Sequence, residues 1–268
     1  MLSADVEVLG LKGRILWAEG TPEPAAVPAA GSEADPTGPV YVLVHGIGVS
    51  HRYLARLHTV LAASAPTYSL DLPGFGGTPK PDRQLSVEDY GAFIAEALAS
   101  RGIGSYVLVG HSMGAQFVIE AALHSPDRVR QVVLMGPVVD SRHKNVRRQS
   151  VALLLDGMLR ESPSSNLIVT SDYLRCGPRW YLTELPVMMT YPTEKRLAGI
   201  KVPVLVLRGS RDNVAGPDWS LRLSRAVDQG RLVEIPGVGH VAQHMRPQAV
   251  ADAIRSFVAA TALHGQAP

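Results

Sequence analysis

The sequence lacks the features that mark several classes of protein. It contains a single cysteine, Cys176, which excludes an intrachain disulfide and a thiolate zinc framework. Its formal net charge is only +2, with basic and acidic residues interspersed, so nothing favours nucleic acid or an anionic membrane as a partner. No apolar run approaches the roughly 18 residues that a membrane span needs.

The composition that remains is that of an ordinary globular protein. The chain has 268 residues, of which 46% are hydrophobic and 19% are charged, and this length allows one large domain or two small ones. The first residues show neither a positive region nor an apolar stretch of signal-peptide length. We therefore expect a cytoplasmic protein, either a monomer or a homodimer, that requires neither a membrane nor a nucleic acid.

Short apolar segments alternate with amphipathic helical segments along most of the chain, a pattern typical of a mostly parallel, twisted sheet with helices on both faces. A hairpin or a pair of short edge strands over Val6–Trp17, and then a proline-rich loop over residues 21–39, precede it. Ser86, three residues before Asp89, predicts a capped helix start. The predicted strands are Tyr41–Val44, Thr67–Leu70, Tyr106–Val109, Gln131–Met135, Val204–Leu207 and Leu232–Ile235.

The alternation breaks between two of these strands, where about 55 residues are helical but irregular. Such an insertion is too long for an ordinary connection. We therefore expect a small helical cap over residues 140–197, inserted into an α/β core formed by residues 1–139 and 198–268. Which cap side chains line a pocket stays open among Leu154, Leu155, Met158, Trp180, Tyr181, Met188 and Met189.

One segment carries the pattern of a nucleophile elbow. Gly110-His111-Ser112-Met113-Gly114 joins a predicted buried strand directly to a helical run, which is the context that this pattern requires. The glycines leave room where strand and helix converge, and the tight turn holds the serine hydroxyl above the sheet. We therefore take Ser112 as the candidate nucleophile.

A serine nucleophile needs a base, and the base needs an orienting carboxylate. Asp212 and His240 each follow the carboxyl end of a later strand, in the chain order that a nucleophile elbow requires. Asp140, which follows an earlier strand, is the rival carboxylate. Among the other histidines, we expect His45 to brace a glycine turn and His111 to pack beside the serine, while His244 could line the cleft. The remaining histidines are expected at the surface: His51, His58, His124, His143 and His264.

With these three motifs the sequence resembles the α/β-hydrolase superfamily from about Val40 to Phe257. The resemblance implies that Ser112 is the nucleophile, His240 the general base and then acid, and Asp212 the orienting carboxylate. His45-Gly46-Ile47-Gly48 looks like the oxyanion loop of that family. We accordingly assign the two oxyanion-hole donors to the backbone amides of Ile47 and Met113.

The function expected from this resemblance is hydrolysis of a small to medium carboxylic ester or lactone, with a small-molecule substrate and with no metal or organic cofactor. Hydrolysis of a carbon–carbon bond in a ring-cleavage product is the second candidate, although Val241 stands where such enzymes usually carry an aromatic residue. Perhydrolysis and acyl transfer to an alcohol would use the same residues. A ligand-binding receptor on a hydrolase scaffold is the candidate from outside the enzymes.

Overall fold

A computed structural model describes residues 1–18, 38–140, 142 and 163–262. Several sequence predictions lie outside these residues: most of the proline-rich loop, the surface histidines His143 and His264, and the pocket candidates Leu154, Leu155 and Met158. Among the described residues, no helix is both long enough and apolar enough to cross a membrane.

Eight strands form one sheet, in the order β1-β2-β4-β3-β5-β6-β7-β8. Pairing is parallel from β4 through β3 to β8, whereas β2 pairs antiparallel with both β1 and β4. The strands are β1 (Leu2–Val8), β2 (Leu11–Trp17), β3 (Tyr41–Val44), β4 (Thr67–Asp71), β5 (Tyr106–His111), β6 (Val129–Met135), β7 (Val204–Gly209) and β8 (Gly230–Ile235). The predicted hairpin and all six predicted strands are present.

The described helices follow the strands in an alternating pattern. They are α1 (Ala55–Ala62), α2 (Val87–Ser100), α3 (Gly114–His124), α4 (Pro163–Cys176), α5 (Pro178–Thr190), α6 (Thr193–Leu197), α7 (Pro217–Arg225), α8 (Ala242–Met245) and α9 (Pro247–Ala262). The predicted capping box at the start of α2 is confirmed, because Ser86 Oγ accepts from the Asp89 amide and Asp89 accepts from the Ser86 amide.

The core consists of two layers, one on each face of the sheet. Alternate residues of a strand point to opposite faces, so Val42 packs with α2 and α3 while Leu43 packs with α1 and α9. The predicted α/β fold class, with helices on both faces, is thereby confirmed. Helices α4, α5 and α6 lie between β6 and β7 in the chain, within the segment predicted to form the cap.

Parallel pairing brings the carboxyl ends of β3, β5, β6, β7 and β8 to one edge of the sheet. The residues that follow these strands include the glycine turn after β3, the elbow after β5, and the loops that carry Asp212 and His240. Ligands of open α/β sheets bind at this edge, and the candidate functional residues lie there.

Candidate active site

Ser112 occupies a strained turn between β5 and α3. Its φ of 58° lies in the left-handed region that side chains other than glycine rarely adopt. The Ser112 amide donates to the Met135 carbonyl at 2.9 Å, and its carbonyl accepts from the Ala115 amide at 3.0 Å. These backbone bonds hold the turn against β6 on one side and the helix start on the other.

The two glycines around Ser112 permit a very close approach of backbone segments. A methyl group on Gly110 would lie 2.2 Å from the Gly114 carbonyl oxygen, and one on Gly114 would lie 2.5 Å from the Val44 carbonyl oxygen. Both distances are far below van der Waals contact, so a larger residue would displace the helix or the strand. The elbow geometry thus explains the glycine pattern of the sequence.

Asp212 and His240 meet at the ends of β7 and β8. Asp212 Oδ2 lies 3.0 Å from His240 Nδ1, and Asp212 Oδ1 accepts from the amides of Val214 and Ala215 at 2.8 and 2.9 Å. Burial alone would raise the pKa of Asp212, but His240 and these amide bonds outweigh it and leave that pKa below its usual value. The carboxylate therefore stays charged beside the imidazole.

Two residues that sequence reasoning did not single out support this pair. Buried Arg208 donates to the carbonyls of Asp212 and Ala215 at 2.9 and 2.6 Å and also pairs with Glu234, which fixes the loop that carries the carboxylate. Gly136, with φ of 52°, leaves space for the imidazole, because a methyl group there would lie 3.0 Å from His240 Nδ1.

His111 connects the elbow to the His240 loop. Its Nε2 donates to the His240 carbonyl at 2.9 Å, and the two rings lie 4.7 Å apart between centroids. Since Nε2 donates, Nδ1 of the neutral ring accepts, and it lies 2.5 Å from the Tyr53 hydroxyl. Burial lowers the pKa of His111 to about 3, so the ring stays neutral at working pH and keeps these roles.

The glycine turn after β3 lies directly beside Ser112. A methyl group on Gly46 would be 3.0 Å from Ser112 Cβ and 3.4 Å from Oγ, which places the backbone before Ile47 next to the hydroxyl. His45 braces the turn, since its Nε2 accepts from the Leu72 amide at 3.1 Å and its Nδ1 donates to the Gly46 carbonyl at 2.8 Å. Tyr53, which sequence reasoning also missed, accepts from the Gly46 amide at 3.1 Å.

The rival carboxylate and the cleft candidate have other partners. Asp140 forms an ion pair with Arg222 and accepts from the Arg142 amide, so Asp212 is the carboxylate that contacts His240. His244 is buried, and its Nε2 lies 3.2 Å from Ser164 Oγ of α4. Cys176 is buried as well, and burial raises the pKa of its thiol to about 11, so it is not a reactive thiolate.

The expected exposure of the remaining histidines holds only in part. His124 is exposed, but His58 is 1% exposed and its Nδ1 lies 2.8 Å from Ser69 Oγ, so the surface prediction for His58 is wrong. His51 is half-buried and pairs with Asp71. Among the residues that the structure describes, no group of three or more His, Cys, Asp or Glu side chains could hold a metal ion.

Comparison with known proteins gives a family and a fold. A model of the alpha/beta hydrolase family matches residues 41–253. The 2-(acetamidomethylene)succinate hydrolase of Mesorhizobium japonicum is 24% identical over 246 residues, which cover 83% of this chain and 88% of the relative. The crystal structure of the enol-lactonase from Burkholderia xenovorans LB400 matches with a TM-score of 0.78 at 18% identity, covering 96% of this chain and all of that one.

A further relative matches over a shorter region. The rice protein named "Probable 1-acylglycerol-3-phosphate O-acyltransferase" is 28% identical over 120 residues, or 43% of this chain. The match spans only 29% of the length of the rice protein. It therefore relates one region of the two chains rather than the whole of either.

Proposed function

Because the chain belongs to the alpha/beta hydrolase family, we propose that it is a serine hydrolase that cleaves a small to medium carboxylic ester or lactone through an acyl-enzyme. Ser112 attacks the carbonyl carbon while His240 takes the hydroxyl proton. The backbone amides of Ile47 and Met113 stabilise the oxyanion, and Asp212 stabilises the imidazolium.

The second half of the reaction reuses the same groups. His240 gives its proton to the departing alkoxide oxygen, which leaves the acyl group on Ser112 as an ester. Water then loses a proton to His240 and attacks this ester, and His240 returns the proton to Ser112 Oγ as the acid leaves. Charge and protons balance over the cycle without a cofactor.

One observation carries the proposal: the Asp212–His240 pair is bonded to the elbow that carries Ser112. The 3.0 Å contact fixes Nδ1 of His240 as the protonated nitrogen of the neutral ring, which makes Nε2 the basic one. The 2.9 Å hydrogen bond from His111 to the His240 carbonyl connects the backbone of His240 to the residue immediately before Ser112. Nucleophile, base and acid are thereby supported as one unit.

The relatives differ in the reaction that their names specify, and this keeps the proposed substrate class broad. The name of the Mesorhizobium relative specifies hydrolysis and that of the rice relative specifies acyl transfer. Acyl transfer to an alcohol is thus a further candidate beside carbon–carbon bond hydrolysis, since it needs the same acyl-enzyme and differs only in the acceptor that resolves it. Ester or lactone hydrolysis stays the main proposal because water needs no acceptor site.

A series of p-nitrophenyl esters from acetate to dodecanoate tests the proposal on the wild type and on Ser112→Ala. We expect turnover by the wild type and a loss of at least about 10⁴-fold in Ser112→Ala, with loss of covalent labelling by a fluorophosphonate. The preferred chain length measures the acyl pocket. Added methanol that diverts product from acid to methyl ester would favour the acyltransferase.

Other outcomes select among the remaining candidates. Labelling of the wild type without turnover of any ester would favour carbon–carbon bond hydrolysis or a receptor. The serine would then be a competent nucleophile for which esters are not the substrate. Equal labelling of wild type and Ser112→Ala would exclude Ser112 as the nucleophile.

A further inference from the structure

A buried carboxylate of the inserted helices contacts the loop after β3. Asp172 of α4 is 3% exposed. Its Oδ2 accepts from Ser50 Oγ at 2.5 Å, and its Oδ1 accepts from Arg52 Nη1 at 2.9 Å. Both partners lie just beyond the glycine turn of residues 45–48, and the same Arg52 nitrogen also donates to Ser171 Oγ at 2.9 Å.

Ser50 links Asp172 to the backbone of the loop. It is the N-cap of the short 3₁₀-helix His51–Leu54, where its hydroxyl oxygen also accepts from the Arg52 amide at 3.3 Å. The hydroxyl that donates to Asp172 is therefore the group that sets the end of the turn. A shift of Asp172 would move Ser50 and with it the segment that runs back to Ile47.

The next residue of α4 packs on the turn itself. A methyl group on Gly48, whose φ is 75°, would lie 2.6 Å from the ring of Tyr173 and 2.9 Å from that of Tyr181. The two tyrosine rings pack edge to face with centroids 5.4 Å apart. Adjacent residues of one helix thus hold this loop by a charged hydrogen-bond pair and by an aromatic ring.

The core holds the loop from its other side. Asp71 of β4 accepts from the His51 amide at 2.8 Å, and the Tyr53 hydroxyl accepts from the Gly46 amide at 3.1 Å. The position of the Ile47 amide is therefore determined jointly by the sheet and by α4. The core contacts hold Gly46 and His51, whereas the contacts from α4 hold Gly48, Ser50 and Arg52.

We propose that Asp172 is a positioning residue that couples the inserted helix α4 to the oxyanion loop, so that the Ile47 amide is aligned only while α4 is docked on Ser50 and Arg52. This rests on the proposed function, since it assigns the Ile47 amide to the oxyanion. Docking of the helices over a bound substrate would then complete the oxyanion hole.

The sign of the expected effect separates positioning from electrostatics. A negative charge near a developing oxyanion disfavours it, so a purely electrostatic role predicts an unchanged or raised kcat in Asp172→Asn. A positioning role predicts a lowered kcat, because a displaced donor stabilises the transition state less while substrate binding in the ground state stays nearly the same. Only the positioning role therefore predicts a lowered kcat.

The test compares wild type, Asp172→Asn, Ser50→Ala and the double variant in ester hydrolysis. We expect kcat to fall by about tenfold to hundredfold in each single variant, with KM changed by less than about threefold. The kcat of the double variant should be no lower than that of the less active single variant, since the two substitutions break the same contact. Ser50→Thr, which keeps the hydroxyl, should recover most of the activity, and exposed Arg179→Ala on α5 is the control.

Hydrogen exchange supplies a readout that does not depend on the substrate. We expect faster exchange of the amides of residues 45–52 in Asp172→Asn and Ser50→Ala, and no change there in Arg179→Ala. If Asp172→Asn does not fold, Ser50→Ala and Ser50→Thr carry the test.

The outcomes separate the two proposals. Unchanged exchange in residues 45–52, a change in KM alone, or additive losses in the double variant would overturn the coupling. If the wild type hydrolyses no ester but the variants still differ from it in exchange as expected, the proposed function is overturned. The coupling of α4 to the loop then stays intact.

Discussion

Two aspartate–histidine pairs of similar geometry follow strands of this sheet, one on each side of the elbow strand β5. Asp212 Oδ2 lies 3.0 Å from His240 Nδ1, and Asp71 Oδ2 lies 2.8 Å from His51 Nδ1. Both carboxylates are buried. The second oxygen of Asp212 accepts from amides of its own loop, whereas that of Asp71 accepts from the backbone amide of the same histidine.

The comparison teaches that a short carboxylate–imidazole contact does not by itself mark a catalytic pair. The ring of His240 lies against His111, the neighbour of Ser112. The ring and the backbone of His51 bind one carboxylate, so that pair clamps the segment that follows the glycine turn. We therefore assign proton transfer to the first pair and loop anchoring to the second.

Matched asparagine variants test that assignment most directly. We expect Asp212→Asn to lower kcat by about 10⁴-fold, because an amide favours the wrong tautomer of His240 and cannot stabilise its cation. Asp71→Asn keeps the size and one acceptor for the His51 amide, so we expect a loss of about tenfold. Ester hydrolysis by the two purified variants measures both. Equal losses would show that the two pairs are functionally alike.

The space around the His240 ring provides a second test of the role of the Asp212–His240 pair, with a smaller expected loss of kcat. In Gly136→Ala the added methyl group would lie 3.0 Å from His240 Cε1 and Nδ1 and 3.3 Å from Asp212 Oδ2. We expect kcat to fall by about tenfold to hundredfold as the imidazole is displaced, together with a loss of about 1–2 kcal/mol in stability from the positive φ.

Gly10→Ala is the matched control for that variant. Gly10 also has a positive φ, of 71°, but an added methyl group there meets no atom within 4 Å. It should lose stability without losing kcat, as measured by urea unfolding and ester hydrolysis. A Gly136→Ala enzyme with normal kcat would show that the Asp212–His240 pair tolerates displacement.

The three candidate catalytic side chains could be located from the sequence because each is marked by a local pattern. Ser112 lies between the two glycines of its turn, and Asp212 and His240 follow the ends of β7 and β8 by three and five residues. The supporting contacts could not be located in this way: Asp71 is 20 residues from His51, and Asp172 is 122 residues from Ser50. Such contacts depend on the strand order and on where the inserted helices dock.

One wrong prediction did have a readable signal. His58 lies four residues after Leu54 and three before Leu61, so the helical period places it on the buried side of its helix. Its polar character favoured the surface instead. The structure resolves the conflict by giving the ring a neutral partner, the hydroxyl of Ser69, where His51 and His240 have carboxylates.

That difference in partner predicts a dependence of stability, and not of catalysis, on pH. Burial lowers the pKa of His58 to about 4 from its ordinary value of 6.5. Below pH 6.5 the unfolded chain binds a proton at this position that the folded chain does not bind until about pH 4. The free energy of unfolding therefore falls as pH falls through this window, by up to about 3 kcal/mol from this residue.

His58→Gln keeps a hydrogen-bonding side chain beside Ser69 and removes the titration. Urea unfolding between pH 7.5 and pH 4.5 should give a flatter decline in the free energy of unfolding for this variant than for the wild type. His124→Gln, at an exposed position beside Glu96, is the matched control and should decline as the wild type does. Parallel curves for wild type and His58→Gln would mean that the buried ring accepts a proton in the folded state as readily as in the unfolded one. A hydroxyl would then stabilise a protonated, buried histidine as well as a carboxylate does.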